Sequence, residues 1–299
     1  MDPKIQSGVL AAFTADALAL GAHWVYDVSL IKKRYGRLDY ITAPEIAPFH
    51  KGKVKGSFTH YGDQMFLLLE SLSNCSGFDP DDFATQWQAM FANYRGYMDT
   101  ATKKTLAKFK DGKSPKTAGS DSTDLGGAAR MVPLALFYAD APQIFIEYAD
   151  LQTAMTHNHP QVRESARFFA AAAIEALKGA DPVALLKAAL KGLPEDAAIS
   201  RLVVQGLDSV NAKTEQAISN FGQMCETQAA LPGTIHLIAK YPDDLETALI
   251  ENIMAGGDSS ARGILCAFIL GICNGMDAIP ARWLDDMRET GRIRAMAGM

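Results

Sequence analysis

The sequence predicts an all-α chain folded as a single domain over residues 1–299. Three observations point there. No segment alternates apolar and polar residues with the period of two that a half-buried strand needs. Apolar residues recur instead at helical spacing, and no repeat or linker divides the chain. Apolar residues make up 48% of the sequence, enough for a large core. The net charge of −5 leaves no basic face to displace counterions from phosphates, which argues against a nucleic-acid partner. The four cysteines, Cys75, Cys225, Cys266 and Cys273, form no C-x-x-C pair and read as reduced thiols, so a cytoplasmic protein is expected. The apolar stretch 9–24 is broken by Asp16 and His23 and the run 264–273 is too short for a bilayer, so neither a signal peptide nor a membrane contact is expected.

Residues 8–23, rich in Ala and Leu, read as a largely buried helix. Asp16 stands in its middle. A lone carboxylate on a buried helix is costly, so Asp16 lies either on an exposed stripe or in a polar site. Residues 32–62 mix turn formers with rings and basic groups and read as a long loop of the kind that covers a pocket. Helical pattern resumes over 63–72, with Asp63 at its start. Asp79-Pro80-Asp81-Asp82 opens another helix, proline in the first turn and acids at the positive end, while the lysine-rich stretch 103–116 reads as an exposed connection. Residues 119–130 form a loop before an apolar helix at 131–138, and residues 156–160 another before an alanine-rich helix at about 162–177. Helices follow around 181–191, 195–210 and 213–230. Breaks at Gly192-Leu193-Pro194 and Asn211 separate them, and Leu231-Pro232-Gly233 and Tyr241-Pro242-Asp243-Asp244 bound the last helices.

Residues 252–275 organise the functional reading. Small and polar residues fill 256–263, and an apolar run follows at 264–273, so a loop feeds a buried helix. Gly256 and Gly257 open backbone conformations closed to other residues, and Asp258, Ser259 and Ser260 are helix-capping types. Such a start can hold an anion on its free N–H groups, and Asp258 can hold a cation or a sugar hydroxyl. The starts at Asp63, 124–130, His157 and Asp258 share one grammar, polar residues and then an apolar helix. Gathered at one end of the fold, their carboxylates suit a hard cation such as magnesium, which can activate water. Asp63 and Asp258 are the candidate catalytic acids and metal ligands. Asp124 and the exposed acids near 243–246 do not read as ligands, and His157 and His159 read as turn and cap.

The order of these loops resembles the ADP-ribosylglycohydrolase family, which includes dinitrogenase reductase activating glycohydrolases and the J1-crystallins. The opening helix with Asp16, the helix from Asp63, Arg130-Met131-Val132-Pro133-Leu134, Thr156-His157-Asn158-His159-Pro160 and Gly256-Gly257-Asp258 look like the family's segments, in order over nearly the whole chain. The resemblance implies an all-α orthogonal bundle, a two-magnesium site and hydrolysis of the glycosidic bond joining ADP-ribose to an acceptor. The chain departs from the pattern at both acid motifs. Tyr61-Gly62-Asp63 stands where the family has Thr-Asp-Asp, and Gly256-Gly257-Asp258-Ser259-Ser260-Ala261 where it has Gly-Gly-Asp-Thr-Asp-Thr. Fewer carboxylates weaken a magnesium site. Arg262 beside them can substitute for a metal electrostatically, its planar fork binding carboxylate or phosphate. Arg130, Arg262, Ser259 and Ser260 are the candidate holders of an anionic, ADP-ribose-like ligand, joined by His60, Tyr61 and His157. Two functions are expected: a glycosidic-bond hydrolase with an altered metal site, or a non-catalytic, J1-crystallin-like binding or structural protein.

Overall fold

The computed structural model describes residues 2–193 and 197–299. Along the chain run α1 (Pro3–Ala19), α2 (Val28–Tyr35), α3 (His60–Cys75), α4 (Pro80–Ala92), α5 (Thr100–Lys110), α6 (Gly126–Ala129), α7 (Ala135–Tyr138), α8 (Pro142–Ala154) and α9 (Pro160–Leu177). After them come α10 (Pro182–Lys191), α11 (Ser200–Asp208), α12 (Thr214–Phe221), α13 (Thr227–Lys240), α14 (Leu245–Met254), α15 (Ser259–Asn274), α16 (Ala281–Asp286) and α17 (Thr290–Met296). The all-α expectation holds. Among the described residues β-pairing is confined to isolated bridges, Val25 with Gly257, Ser120 with His157 and Asp124 with Glu226, and each ties together two loops.

One contiguous apolar core runs through these helices, and α1 and α15 lie side by side at its centre. Both are buried on nearly every face, which is why their sequences are apolar without a polar stripe. Small residues let the two backbones approach. A Cβ on Gly8 would lie 2.6 Å from Ile272 Cγ1 and 2.7 Å from Phe268 O, and one on Gly271 would lie 2.8 Å from Ala11 Cβ. Helices α9, α13 and α14 pack around α15. No described helix is long and apolar enough to cross a membrane.

Several boundaries differ from expectation for local reasons. The lysine-rich stretch belongs to α5 as far as Lys110, started by Asp99 accepting from Thr102 N, and is an exposed connection only from 111 to 116. Asp27 caps α2 through Ser29 N and Leu30 N, so the irregular loop begins only after Tyr35. Helix α8, opened by Pro142, has no counterpart in the sequence reading. Pro232 does not end a helix but sits inside α13; the loss of one intrahelical bond is offset by burial of Leu231, Ile235 and Leu237 around it. Residues 194–196, which fall in the expected break and the start of the next helix, lie outside the described residues.

Candidate functional site

The start of α15 sets the geometry. Gly256 and Gly257 take φ of +74° and +71°, conformations that carry the chain against Val25 and Gln223. Gly257 N donates to Val25 O at 2.8 Å, Trp24 N donates to Gly257 O at 2.8 Å, and Asp258 N donates to Gln223 O at 2.8 Å. Asp258 then caps the helix, accepting from Ala261 N at 3.0 Å. Trp24 itself holds φ of 62°, a costly conformation for a large side chain, and is fixed there by its backbone bond to Gly257 O, by stacking on His23 and by its indole Nε1 donating to Asp258 Oδ2 at 3.2 Å.

Tyr61, on the first turn of α3, joins this helix start to the loop before α6. Its hydroxyl lies 2.6 Å from Asp124 Oδ2 and 3.1 Å from Asp258 Oδ2. A phenol owns one proton, so filling both contacts requires a second proton on one of the two carboxyl groups. Burial followed by the negative charge of Asp258 raises Asp124 to about 7, and burial likewise raises Asp258, partly opposed by Arg262. Asp124 Oδ1 accepts from Gly126 N at 2.8 Å.

Asp16 resolves into a polar site. It is fully buried and accepts from Thr59 N at 2.8 Å, from Thr59 Oγ1 at 2.6 Å and from Ser260 Oγ. Burial still raises its pKa against those hydrogen bonds. Asp63 faces elsewhere. Its carboxylate takes Lys53 Nζ at 2.5 Å and the Tyr94 hydroxyl, beside a second depression that Phe66, Arg288 and Arg292 also line. The structure thus brings Asp258 to Asp124 and Asp16 to Ser260, and leaves Asp63 apart.

The other predicted residues are buried behind this wall. Arg262 gives Nε to Asn252 Oδ1 at 3.0 Å and another nitrogen to Gly256 O at 2.6 Å, leaving one nitrogen without a partner. Ser259 Oγ is buried and unpaired. Arg130 ties Gln64, Thr156 and His157 Nδ1 together, and burial lowers it to about 10. Burial and then Arg130 lower His157 to about 3, so its imidazole is neutral. His60 lies between His50, at 3.2 Å, and Asp99, at 3.4 Å.

A depression of about 330 Å³ opens in front of this wall, lined by Trp24, Tyr97, Asp99, Lys104, Asp124 and Cys225 among others. Asp99 and Asp124 are its two buried carboxyl groups, and the sequence reading picked neither. Burial alone would raise Asp99, but hydrogen bonding and attraction to His60 hold it well below the usual carboxylate range. Asp124 was legible as an acid next to a glycine-rich helix start, whereas nothing local marks Asp99 beyond its capping of α5.

A pair of magnesium ions does not fit these residues. Both Asp258 oxygens are taken by protein donors, the Tyr61 hydroxyl bridges the Asp124 and Asp258 carboxylates, and the third nearby ligand atom is the soft Cys225 sulfur. The position after Tyr61 holds no acid, and a side chain there would collide with Asp16.

The ADP-ribosylglycohydrolase family pattern matches residues 2–299. The chain is 24% identical to an uncharacterised protein of Archaeoglobus fulgidus, over 99% of this chain and 95% of that protein. It is 22% identical to crystallin J1A of Tripedalia cystophora, over 94% and 91%. It is 28% identical to the ADP-ribosyl-[dinitrogen reductase] glycohydrolase of Rhodospirillum rubrum, over 67% and 60%. Among solved structures, one described as an ADP-ribosylglycohydrolase-related protein complex superposes with a TM-score of 0.75 at 22% identity, covering 99% of this chain and 95% of that one. Its likeness is one of fold, but the pattern match extends along the chain from one end to the other: the protein belongs to the ADP-ribosylglycohydrolase family.

Proposed function

We propose that the depression binds an ADP-ribose compound or a related nucleoside sugar and that the chain hydrolyses its glycosidic bond without the family's magnesium pair. The observation that carries this reading is the opposite tuning of two carboxyl groups on one wall, Asp124 raised to about 7 and Asp99 depressed. Carboxyl pairs whose environments push them apart divide into an acid and a base or charge stabiliser. Asp124 supplies the proton to the leaving nitrogen or oxygen as the bond to the anomeric carbon breaks. Asp99 stays ionised and faces the positive charge that develops on the sugar. Water then adds to that carbon, and its proton returns to the Asp124 carboxylate. Tyr61 and Asp258 act behind Asp124, holding its proton in place. Trp24 and Tyr97 line the depression and offer apolar ring surface to a base.

The test is release of free ADP-ribose from ADP-ribosylated protein and from small ADP-ribosyl compounds, with chelator present. Turnover is expected, falling as pH rises past about 7 because Asp124 loses its proton there. Asp124→Asn should lower the rate roughly 100-fold or more while ADP-ribose still binds in calorimetry. One observation favours the second reading, a J1-crystallin-like protein without catalysis: every contact of the Asp258 carboxylate is already made within the chain, and Lys53 neutralises Asp63. Neither turnover nor ADP-ribose binding would decide for it.

A further inference from the structure

Three of the six histidines meet at one point from three parts of the chain. His23 follows α1, His50 closes the 3-10 turn Pro48–His50, and His60 is the first residue of α3. All three are buried, and each offers a ring nitrogen within 4.8 Å of the others. His50 Nε2 lies 3.2 Å from His60 Nδ1. Zinc–nitrogen bonds of about 2.0–2.1 Å in a tetrahedral shell place neighbouring nitrogens about 3.3 Å apart, so this pair already spans one edge of such a shell. The other nitrogen of His60 is 3.4 Å from Asp99 Oδ2. A carboxylate behind an imidazole is the arrangement that orients a metal-binding histidine.

His23 adds an independent observation. It is 1% exposed, and neither ring nitrogen has a hydrogen-bond partner. A buried polar group left unsatisfied destabilises the fold, a penalty that a bound cation would remove. The surroundings exclude water: the Trp24 ring stacks on His23 at 4.6 Å and stands 5.1 Å from His60, and Tyr97 and Phe49 pack across the same face.

We infer that His23, His50 and His60 bind one divalent transition-metal ion of the imidazole-preferring class, such as zinc or cobalt. Imidazole nitrogens select these ions over magnesium, which wants oxygen. The site uses ligand atoms other than those of the Asp124, Cys225 and Asp258 group, which it borders through His23 Nδ1, 3.9 Å from Asp258 Oδ1; its occupancy is measured without any turnover, so failure of the hydrolase reading leaves it standing.

The experiment strips the purified protein with a chelator and titrates cobalt by visible absorption and zinc by calorimetry. One equivalent is expected to bind at micromolar strength or tighter, with cobalt bands of a low-coordinate nitrogen site that zinc displaces and magnesium does not. His23→Gln and His50→Gln should each weaken binding by roughly tenfold or more, and Cys225→Ser should leave it unchanged. The absence of cobalt or zinc binding at micromolar metal overturns the assignment. So does binding retained by both folded histidine variants, or binding lost in Cys225→Ser. Should the histidine variants fail to fold, the wild-type cobalt spectrum decides: sulfur-to-metal charge-transfer bands would place the ion on Cys225 instead.

Discussion

Gly62 shows how one residue decides the chemistry available to the site. It occupies a place where the family motif carries an acid, and here α3 begins directly against α1. A Cβ at this position would fall inside the Asp16 carboxylate and 2.8 Å from Phe58 Cβ. Asp16 cannot withdraw, because Thr59 and Ser260 donate to both of its oxygens. Gly62→Ala is therefore expected to cost about 1–3 kcal/mol by overpacking alone. Gly62→Asp adds a second buried carboxylate to the first and should cost more, lowering the melting temperature without creating magnesium-dependent stability. A Gly62→Asp protein that melted like the wild type and was stabilised by magnesium would show that the family's acid site is still latent in the fold. The glycine at 62 and the buried Asp16 carboxylate are thus packed against each other, and sequence alone reported only the first of the two.

At the scale of elements, legibility followed the strength of the local signal. Helices α1 and α15 were readable because burial on all sides leaves unbroken apolar runs, and α9 because His159-Pro160 opens a run of alanines. Helix α5 was not readable, since its lysines cover a helix whose only buried residues are Ala101, Thr102 and Thr105. Of the candidate site, Asp258, Tyr61 and the polar fate of Asp16 were within reach of local pattern. The pairing with Asp124, the tuning of Asp99 and the isolation of Asp63 depend on contacts between segments more than 30 residues apart in most cases, which no local period encodes. The close approach of α1 to α15 carries its own test. Gly8→Ala places a methyl 2.7 Å from the Phe268 carbonyl, a backbone atom that cannot rotate away. The expected loss is about 1–3 kcal/mol, read as a drop of several degrees in melting temperature with the helical signal of the folded state unchanged. An unchanged melting temperature would mean that the two helices slide apart at little cost.

For the whole molecule, the buried ionisable groups set an unusual balance against pH. Burial lowers His23, His50, His157 and His236 below their usual range, so the folded state refuses protons that the unfolded chain accepts below about 6.5. That contribution is present at neutral pH and is lost as pH falls. Burial raises Asp16, Asp124 and Asp258, so the folded state keeps protons that the unfolded chain releases above 3.8. Their contribution is present at low pH and is lost as pH rises, through about 7 for Asp124. Between about pH 4 and 6.5 the two sets oppose each other, each group being worth up to about 1.4 kcal/mol per pH unit, so they offset one another in part. Removing one member tilts the balance in a direction fixed by its sign. His236 lies outside the site in α13, held by Ser209 and Thr214, and burial followed by Lys240 lowers it to about 4. His236→Gln should therefore gain about 2 kcal/mol at pH 5 relative to pH 7, compared with the wild type. Asp124→Asn should tilt the other way by a similar amount, losing stability at pH 5 relative to pH 7. Urea midpoints of the three proteins at both pH values measure the tilts. Opposite signs would establish that buried imidazoles and buried carboxyls offset each other across the fold; tilts of the same sign, or none, would show that at least one set exchanges protons with solvent as freely folded as unfolded.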